Sequence, residues 1–215
     1  GVNFNIYYFI LIGKVKDVIK NEELKYYLLI VFVSIALIVM NIASKYQSIW
    51  QCIRDVLFTV SSIITTTGYS TADFGKWPLF SQVILLLIMF FGACAGSTAG
   101  GLKISRVIMM VKMYVAEIRQ MISPNRVITV KYEDKPLSAK MQKNVAVYFV
   151  VYMILFTTML LIVSFSLGDF MTAFSAVAAT FNNIGPGLGK VGPAYSFADL
   201  SNVSKVVLSF GMLAG

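Results

Sequence analysis

The stretch TTTGYST, residues 65–71, is polar, carries a Gly-Tyr pair and lies between two apolar segments. Before it runs IWQCIRDVLFTVSSII, residues 49–64, and after it an apolar run over residues 79–91. Backbone polar groups cannot face lipid unpaired. Non-helical backbone at membrane depth survives only inside protein or against a water-filled path. If the flanks belong to a membrane, this turn is either buried or lines a pore. FNNIGPGLG, residues 181–189, poses the same question further on.

The composition says that the flanks do belong to a membrane. The 215 residues are 58% hydrophobic and 13% charged, with a mean hydropathy of +0.77. Soluble domains sit near half apolar and a quarter charged. The net charge of +8 invites a nucleic-acid reading, but in a membrane protein Lys and Arg collect in cytoplasmic loops. No histidine is present, which removes His-based acid–base catalysis and the common His metal sites. Cys52 and Cys94 show no metal-ligand spacing, and nothing in their placement argues for a disulfide. The chain does not start with Met and ends inside an apolar run, VVLSFGMLAG, so a piece of a longer protein is expected.

Residues 26–43 and 144–167 are uncharged apolar runs, close to the roughly 20 residues that cross the hydrocarbon. Both are expected to be transmembrane helices. A third run, residues 79–91, breaks into GACAGSTAGG, residues 92–101, and resumes as a basic amphipathic stretch over 102–121. A fourth begins at Val206. Residues 49–64 and 170–184 are too short or too polar to span and are expected as re-entrant helices. The order is span, short helix, Gly-centred turn, span, and it occurs twice. Gly68 and Gly185 mark equivalent points, 117 residues apart by numbering. Internal repeats of this kind are common in transport proteins.

Of the 18 Lys and Arg residues, five (Lys45, Arg54, Lys76, Lys190 and Lys205) fall on one side of the alternating spans. The rest form two clusters on the other. The first is Lys14, Lys16, Lys20 and Lys25, and the second runs from Lys103 to Lys143 and includes Arg126. That bias places the clusters in the cytoplasm, and both Gly-centred turns then open from the outer face.

Such turns can point carbonyls at a dehydrated monovalent cation. Gly68 permits backbone angles that a bulkier residue resists. Thr65, Thr66 and Thr67 supply carbonyls and hydroxyls, and Tyr69 is expected to brace the turn from behind. In the second turn Gly185, Gly187 and Gly189 allow close backbone approach, and Pro186 stiffens the exit. A plain surface hairpin is the competing reading. Two turns, each after a helix of non-spanning length, weigh against it.

TTTGYSTADFGKWP (65–78), GACAGSTAGGLKISR (92–106) and FNNIGPGLG (181–189) resemble the Trk/Ktr/HKT superfamily of potassium transporters, and within it the bacterial TrkH-type branch. The similarity runs over nearly the whole chain, in order and spacing. It implies an all-α integral membrane fold, potassium-channel-like, built from tandem membrane–pore–membrane units with re-entrant pore helices and filter loops. The chain is expected to hold the third and fourth of four such units. Residues 1–25 are a cytoplasmic linker, 26–122 the third unit with a broken second span, 123–143 a cytoplasmic linker, and 144–215 the fourth unit. Thr65, Thr66, Thr67, Gly68 and Tyr69 form one filter strand; Asn182, Asn183, Ile184, Gly185 and Pro186 form the other. K⁺ is the transported ion, with Na⁺ or H⁺ as further ions, and no cofactor is expected. The resemblance also implies a homodimer in the bacterial cytoplasmic (inner) membrane, docked by a nucleotide-binding regulatory subunit. Residues 123–143 are a candidate contact for that subunit.

Residues 92–101 carry two readings. Gly92, Gly96 and Gly100 recur every fourth residue, the small-xxx-small pattern of close helix packing. The same glycines, with Gly101, each weaken a helix by roughly 1 kcal/mol relative to Ala, and Ser97 and Thr98 can satisfy the freed backbone. The resemblance implies the second reading, an intramembrane gate beneath the filter. Lys103 is either a snorkelling anchor, the favoured reading, or a charge that the gate positions.

Other patterns are declined. Residues 187–192 match G-x-G-x-x-G, but a dinucleotide site needs a strand before it and a helix after it, and Pro193 follows directly. Asp55, Asp73, Asp169 and Asp199 suit caps, turns or a mild cation-attracting field at the outer mouth. An enzyme lacks a nucleophile–base pair here. A one-filter tetrameric channel is disfavoured by two unlike turns in one chain. A broken-helix transporter for another solute predicts substrate-binding side chains at mid-membrane.

Overall fold

A computed structural model describes residues 1–123 and 128–215. In chain order the described elements are α1 (Phe4–Leu11), α2 (Val15–Lys20), α3 (Glu22–Ile42), α4 (Ile49–Ile64), α5 (Leu79–Met89) and α6 (Ile104–Ile122). They continue with β1 (Lys131–Tyr132), β2 (Lys135–Pro136), α7 (Ala139–Ser164), α8 (Phe170–Phe181) and α9 (Asn202–Ala214).

Among the described residues two helices, α3 and α7, are long and apolar enough to cross a membrane. At 1.5 Å per residue, the 26 residues of α7 reach about 39 Å, more than the roughly 30 Å hydrocarbon core. Their apolar side chains are largely exposed, as at Phe32, Met40 and Leu161, which suits helices that shed much of their surface to lipid. The short α8 is the reverse, and α4 has half of its residues buried. Every residue of α8 from Ala176 to Phe181 is buried.

α3–α4–α5 and α7–α8–α9 are the two layout repeats, each with its middle helix packed against the other two. An aromatic cluster joins them. The Phe90 and Phe156 ring centroids lie 5.2 Å apart, Phe156 and Phe174 5.4 Å, and Tyr152 and Phe181 4.8 Å. Offset and edge-on ring pairs of this kind add to the area they bury.

Both basic clusters flank one end of this arrangement. Lys112 on α6 pairs with Glu22 at the start of α3 at 2.7 Å, and its ammonium also donates to the Lys131 carbonyl. Asn21 donates to Glu133 at 2.6 Å. Arg126, counted in the second cluster, lies outside the described residues.

Three expectations change in detail. Residues 1–25 are not a plain linker but carry α1 and α2, with Ile6 and Val18 buried. Asn3 caps α1 by accepting from Asn5 N–H. Residues 123–143 end inside α7, because Ser138 caps that helix. They also hold the β1–β2 hairpin, whose tip residues Glu133 and Asp134 both have positive φ, as a two-residue type I′ turn requires. The other described elements are helices.

Candidate functional site

α4 and α8 end in turns of the same construction. After α4, Thr65 N–H donates to Ser61, Thr66 to Ile63, and Thr67 and Gly68 both to Ser62. After α8, Asn182 donates to Ala178, Asn183 to Thr180, and Ile184 and Gly185 both to Ala179. Each partner in the second set stands 117 positions after its counterpart. Side chains repeat the pattern: the Thr65 hydroxyl donates to the Ser61 carbonyl at 2.6 Å and the Asn182 amide to Ala178 at 2.8 Å. Thr66 and Asn183 share a positive φ, 53° and 55°, as do Gly68 and Gly185, 78° and 109°.

This geometry leaves carbonyls free. Among the described residues, those of Thr65, Thr66, Thr67 and Gly68, and of Asn182, Asn183, Ile184 and Gly185, accept no hydrogen bond. Unpaired carbonyls in a membrane protein require an alternative partner.

The two turns touch. A Cβ on Gly68 would collide with the Ile184 carbonyl oxygen and sit 3.2 Å from the Pro186 ring. A Cβ on Gly185 would meet nothing within 4 Å. One glycine is therefore a close-approach point and the other borders open space. Tyr69 is 74% exposed and does not brace its turn. That role falls to Ser62, whose hydroxyl donates to the Tyr69 carbonyl at 2.6 Å. Ser175 does the same for the second turn, bonding both the N–H and the carbonyl of Leu188.

Residues 92–101 leave the helix and lie against both turns. Gly92 N–H donates to Leu102 O at 2.8 Å and Ile104 N–H to Ala93 O at 3.0 Å, closing the neck of the loop. Gly100 N–H donates to the Thr66 hydroxyl at 3.2 Å. A Cβ on Gly100 would lie 2.7 Å from the Asn182 carbonyl oxygen, and one on Gly101 2.6 Å from its side-chain oxygen. Gly96 and Thr98 are exposed at the tip, and Ser97 donates to Cys94 O at 2.6 Å. The Lys103 ammonium folds back onto the loop, donating to the carbonyls of Ser97 and Ala99. Helix-type packing through Gly92, Gly96 and Gly100 does not occur, because these residues are not helical.

Some supporting residues carried no sequence signal. Tyr152 on α7 donates to the Asn182 side-chain oxygen at 2.8 Å. Glu23 on α3, 3% exposed, accepts from Ala95 N–H at 2.6 Å and Ser105 N–H at 3.0 Å. An acid at the polar end of a span looks like an ordinary cap in sequence, and a tyrosine looks like core.

At the opposite end from the basic clusters, a hollow of about 450 Å³ is lined by Asp73, Lys76, Asp169 and Lys190, among others. Asp73 bridges Lys76 at 3.2 Å, so the hollow carries both signs and the expected cation-attracting field is offset. Asp169 caps α8. Hydrogen bonds from the Thr172 hydroxyl and N–H hold its carboxyl below the usual carboxylate range. Asp55 is buried and pairs with the exposed Arg54 at 3.3 Å. At the basic end, burial pushes the Tyr132 phenol up. Cys52 and Cys94 are free and buried. Among the described residues no cluster of His, Cys, Asp and Glu could hold a metal ion.

A family model described as TrkH, a cation transport protein, matches residues 23–215. The Trk system potassium uptake protein TrkH of Escherichia coli (strain K12) is 35% identical over 219 residues, which cover 100% of this chain and 45% of that protein. The Trk system potassium uptake protein TrkG of the same strain is 33% identical over 217 residues, covering 99% and 44%. The crystal structure of the potassium transporter TrkH from Vibrio parahaemolyticus superposes with a TM-score of 0.89 at 34% identity, over 99% of this chain and 46% of that one. The chain thus spans about half the length of the relatives it matches.

Proposed function

The chain belongs to the TrkH family of cation transport proteins, integral to the inner membrane, and we propose that it supplies half of a K⁺ uptake pathway. Residues 26–122 form one membrane–pore–membrane unit and 139–215 another, α7 beginning at Ala139, with the cytoplasmic linker between them. Residues 65–69 and 182–186 act as two filter strands.

One observation carries this reading: two turns of matching hydrogen-bond pattern, 117 residues apart, meet at Gly68 and Ile184 with their carbonyls free. A carbonyl ring of this type replaces the water shell of a K⁺ ion at little net cost, and the spacing and number of dipoles set which ion is preferred. No covalent step is required. The membrane potential drives the ion inward with about 2.3 kcal/mol per charge per 100 mV.

Residues 92–101 then act as the gate. Their contacts with Thr66 and Asn182 set them against the ends of α4 and α8 where the turns begin. A loop of small residues leaves helical geometry cheaply and swings without dragging bulky side chains. K⁺ is the transported species, and a second copy of the chain and a nucleotide-binding regulatory subunit are its partners. The basic surface around residues 128–143 is the candidate dock for that subunit.

The test is flux through the full-length protein in proteoliposomes, with rubidium as tracer for K⁺ and Na⁺ as competitor. Gly68→Ser is expected to lower rubidium uptake and weaken discrimination against Na⁺. Wild-type uptake and selectivity in that variant, at equal protein, sink the filter assignment.

A further inference from the structure

Glu23 is a buried carboxylate with an unusual pair of partners. It sits in the first turn of α3, yet that turn is capped by Asn21, whose side chain accepts from Leu24 N–H at 2.8 Å. The neighbouring Glu22 faces outward, to Lys112 and Glu133 N–H. Glu23 turns the other way. Its Oε1 takes both Ala95 N–H, inside the 92–101 loop, and Ser105 N–H, in the first turn of α6.

A carboxylate buried without partners is costly, and one that accepts two main-chain N–H groups, one of them at a helix N-terminus, is well satisfied. The two bonds reach two adjoining parts of the chain: the loop, and the helix it runs into. The neck bonds between Gly92 and Leu102 and between Ala93 and Ile104 close the loop on itself but do not tie it to α3. Glu23 supplies that tie.

We infer that Glu23 is the positioning residue that holds the 92–101 loop in its blocking place, by fastening Ala95 and Ser105 to α3. The inference rests on the gate reading of that loop, and its test separates the two. Opening requires both N–H groups to leave the carboxylate, so weakening the tie shifts the loop toward the open arrangement without touching the filter turns.

The experiment uses the full-length protein with Cys94 as its sole cysteine. Cys94 lies in the loop and is fully buried, so its labelling rate with a membrane-permeant maleimide reports loop position, with Glu23→Asp as the variant that keeps the negative charge acting on the thiol. Resting rubidium flux and the K⁺/Na⁺ ratio are measured on the same proteoliposomes. Glu23→Ala is expected to speed labelling about tenfold, equivalent to about 1.4 kcal/mol, and to raise resting flux with an unchanged K⁺/Na⁺ ratio. Glu23→Gln keeps one acceptor oxygen and is expected to stay near wild type. Glu23→Asp is too short to reach both groups and is expected to follow Glu23→Ala; it decides the matter if Glu23→Ala does not fold. Labelling within twofold of wild type in both Glu23→Asp and Glu23→Ala overturns the inference. So does labelling in Glu23→Gln as fast as in Glu23→Ala. Faster labelling with unchanged flux upholds the tie and overturns the gate.

Discussion

The carbonyl oxygen of Ile184 occupies the place where a side chain on Gly68 would begin. Two turns from opposite halves of the chain therefore meet with no room for a methyl group. The contact is backbone on backbone, so it cannot relax by a rotamer change. It follows from the short helices α4 and α8, which release their chains in the same left-handed step at Thr66 and Asn183.

The two glycines are expected to respond differently to substitution. Gly68→Ala adds both a collision with Ile184 and a residue at φ +78°, where an L side chain costs roughly 1–2 kcal/mol. It should lower thermal stability in detergent and cut K⁺-over-Na⁺ selectivity at least about tenfold, or about 1.4 kcal/mol. Gly185→Ala carries the backbone strain but no collision, so its melting temperature should fall less. Equal losses of stability in the two variants would show that the contact contributes nothing.

Gly100→Ala tests the loop. Its Cβ would stand 2.7 Å from the Asn182 carbonyl oxygen and 3.2 Å from the Asn183 Cβ. Neither can move without moving the turn after α8, so the loop is the part expected to shift. Resting rubidium efflux from proteoliposomes should rise several-fold. A fall in efflux at unchanged protein level would instead mark residues 92–101 as packing material.

Tyr152→Phe removes the donor to the Asn182 side chain. Both residues are buried, and leaving a buried acceptor unsatisfied costs about 1–3 kcal/mol. A lower melting temperature is expected, with a shift in ion selectivity larger than that of Tyr148→Phe one turn away. Unchanged selectivity would make Tyr152 part of the core alone.

Asp169 gives a pH dependence. Its folded-state pKa lies below the ordinary carboxylate value, chiefly through the Thr172 hydroxyl and then the Thr172 N–H. A group depressed in this way stabilises fully above its unfolded pKa of about 3.9, and that stabilisation is lost as pH falls through the folded value. Asp169→Ala should cost about 1 kcal/mol at pH 7, as for a lost N-cap. Melting curves of the variant and wild type should converge below the folded pKa. A gap that persists in acid would show that the cap does not depend on the charge.

The element pattern was legible from the residues. The α4 range Ile49–Ile64 was readable in advance because a mildly apolar stretch of that length fits neither a span nor a loop. The spans α3 and α7 announce themselves by length and lack of charge. The elements that were missed are those stabilised by contact. α1, α2 and the β1–β2 hairpin are too short to hold alone, and form where Ile6, Val18 and Tyr132 find surfaces to cover.

The candidate site divides in the same way. Gly68 and Gly185 stand out in sequence because a polar, Gly-centred turn between apolar segments needs a reason. Ser62, Ser175, Tyr152 and Glu23 do not, because a single hydroxyl or carboxylate in a helix has no local signature of its target. By itself the sequence determined the membrane setting, the duplicated layout and the position of the two turns, all of which rest on local composition and period. The meeting of Gly68 with Ile184, the seat of the 92–101 loop against Thr66 and Asn182, and the grip of Glu23 on that loop were decided only by tertiary structure. Hydrogen bonds and steric contacts fall off within a few ångströms, and residues up to about 120 positions apart are brought within that range only by the packing of the helices that carry them.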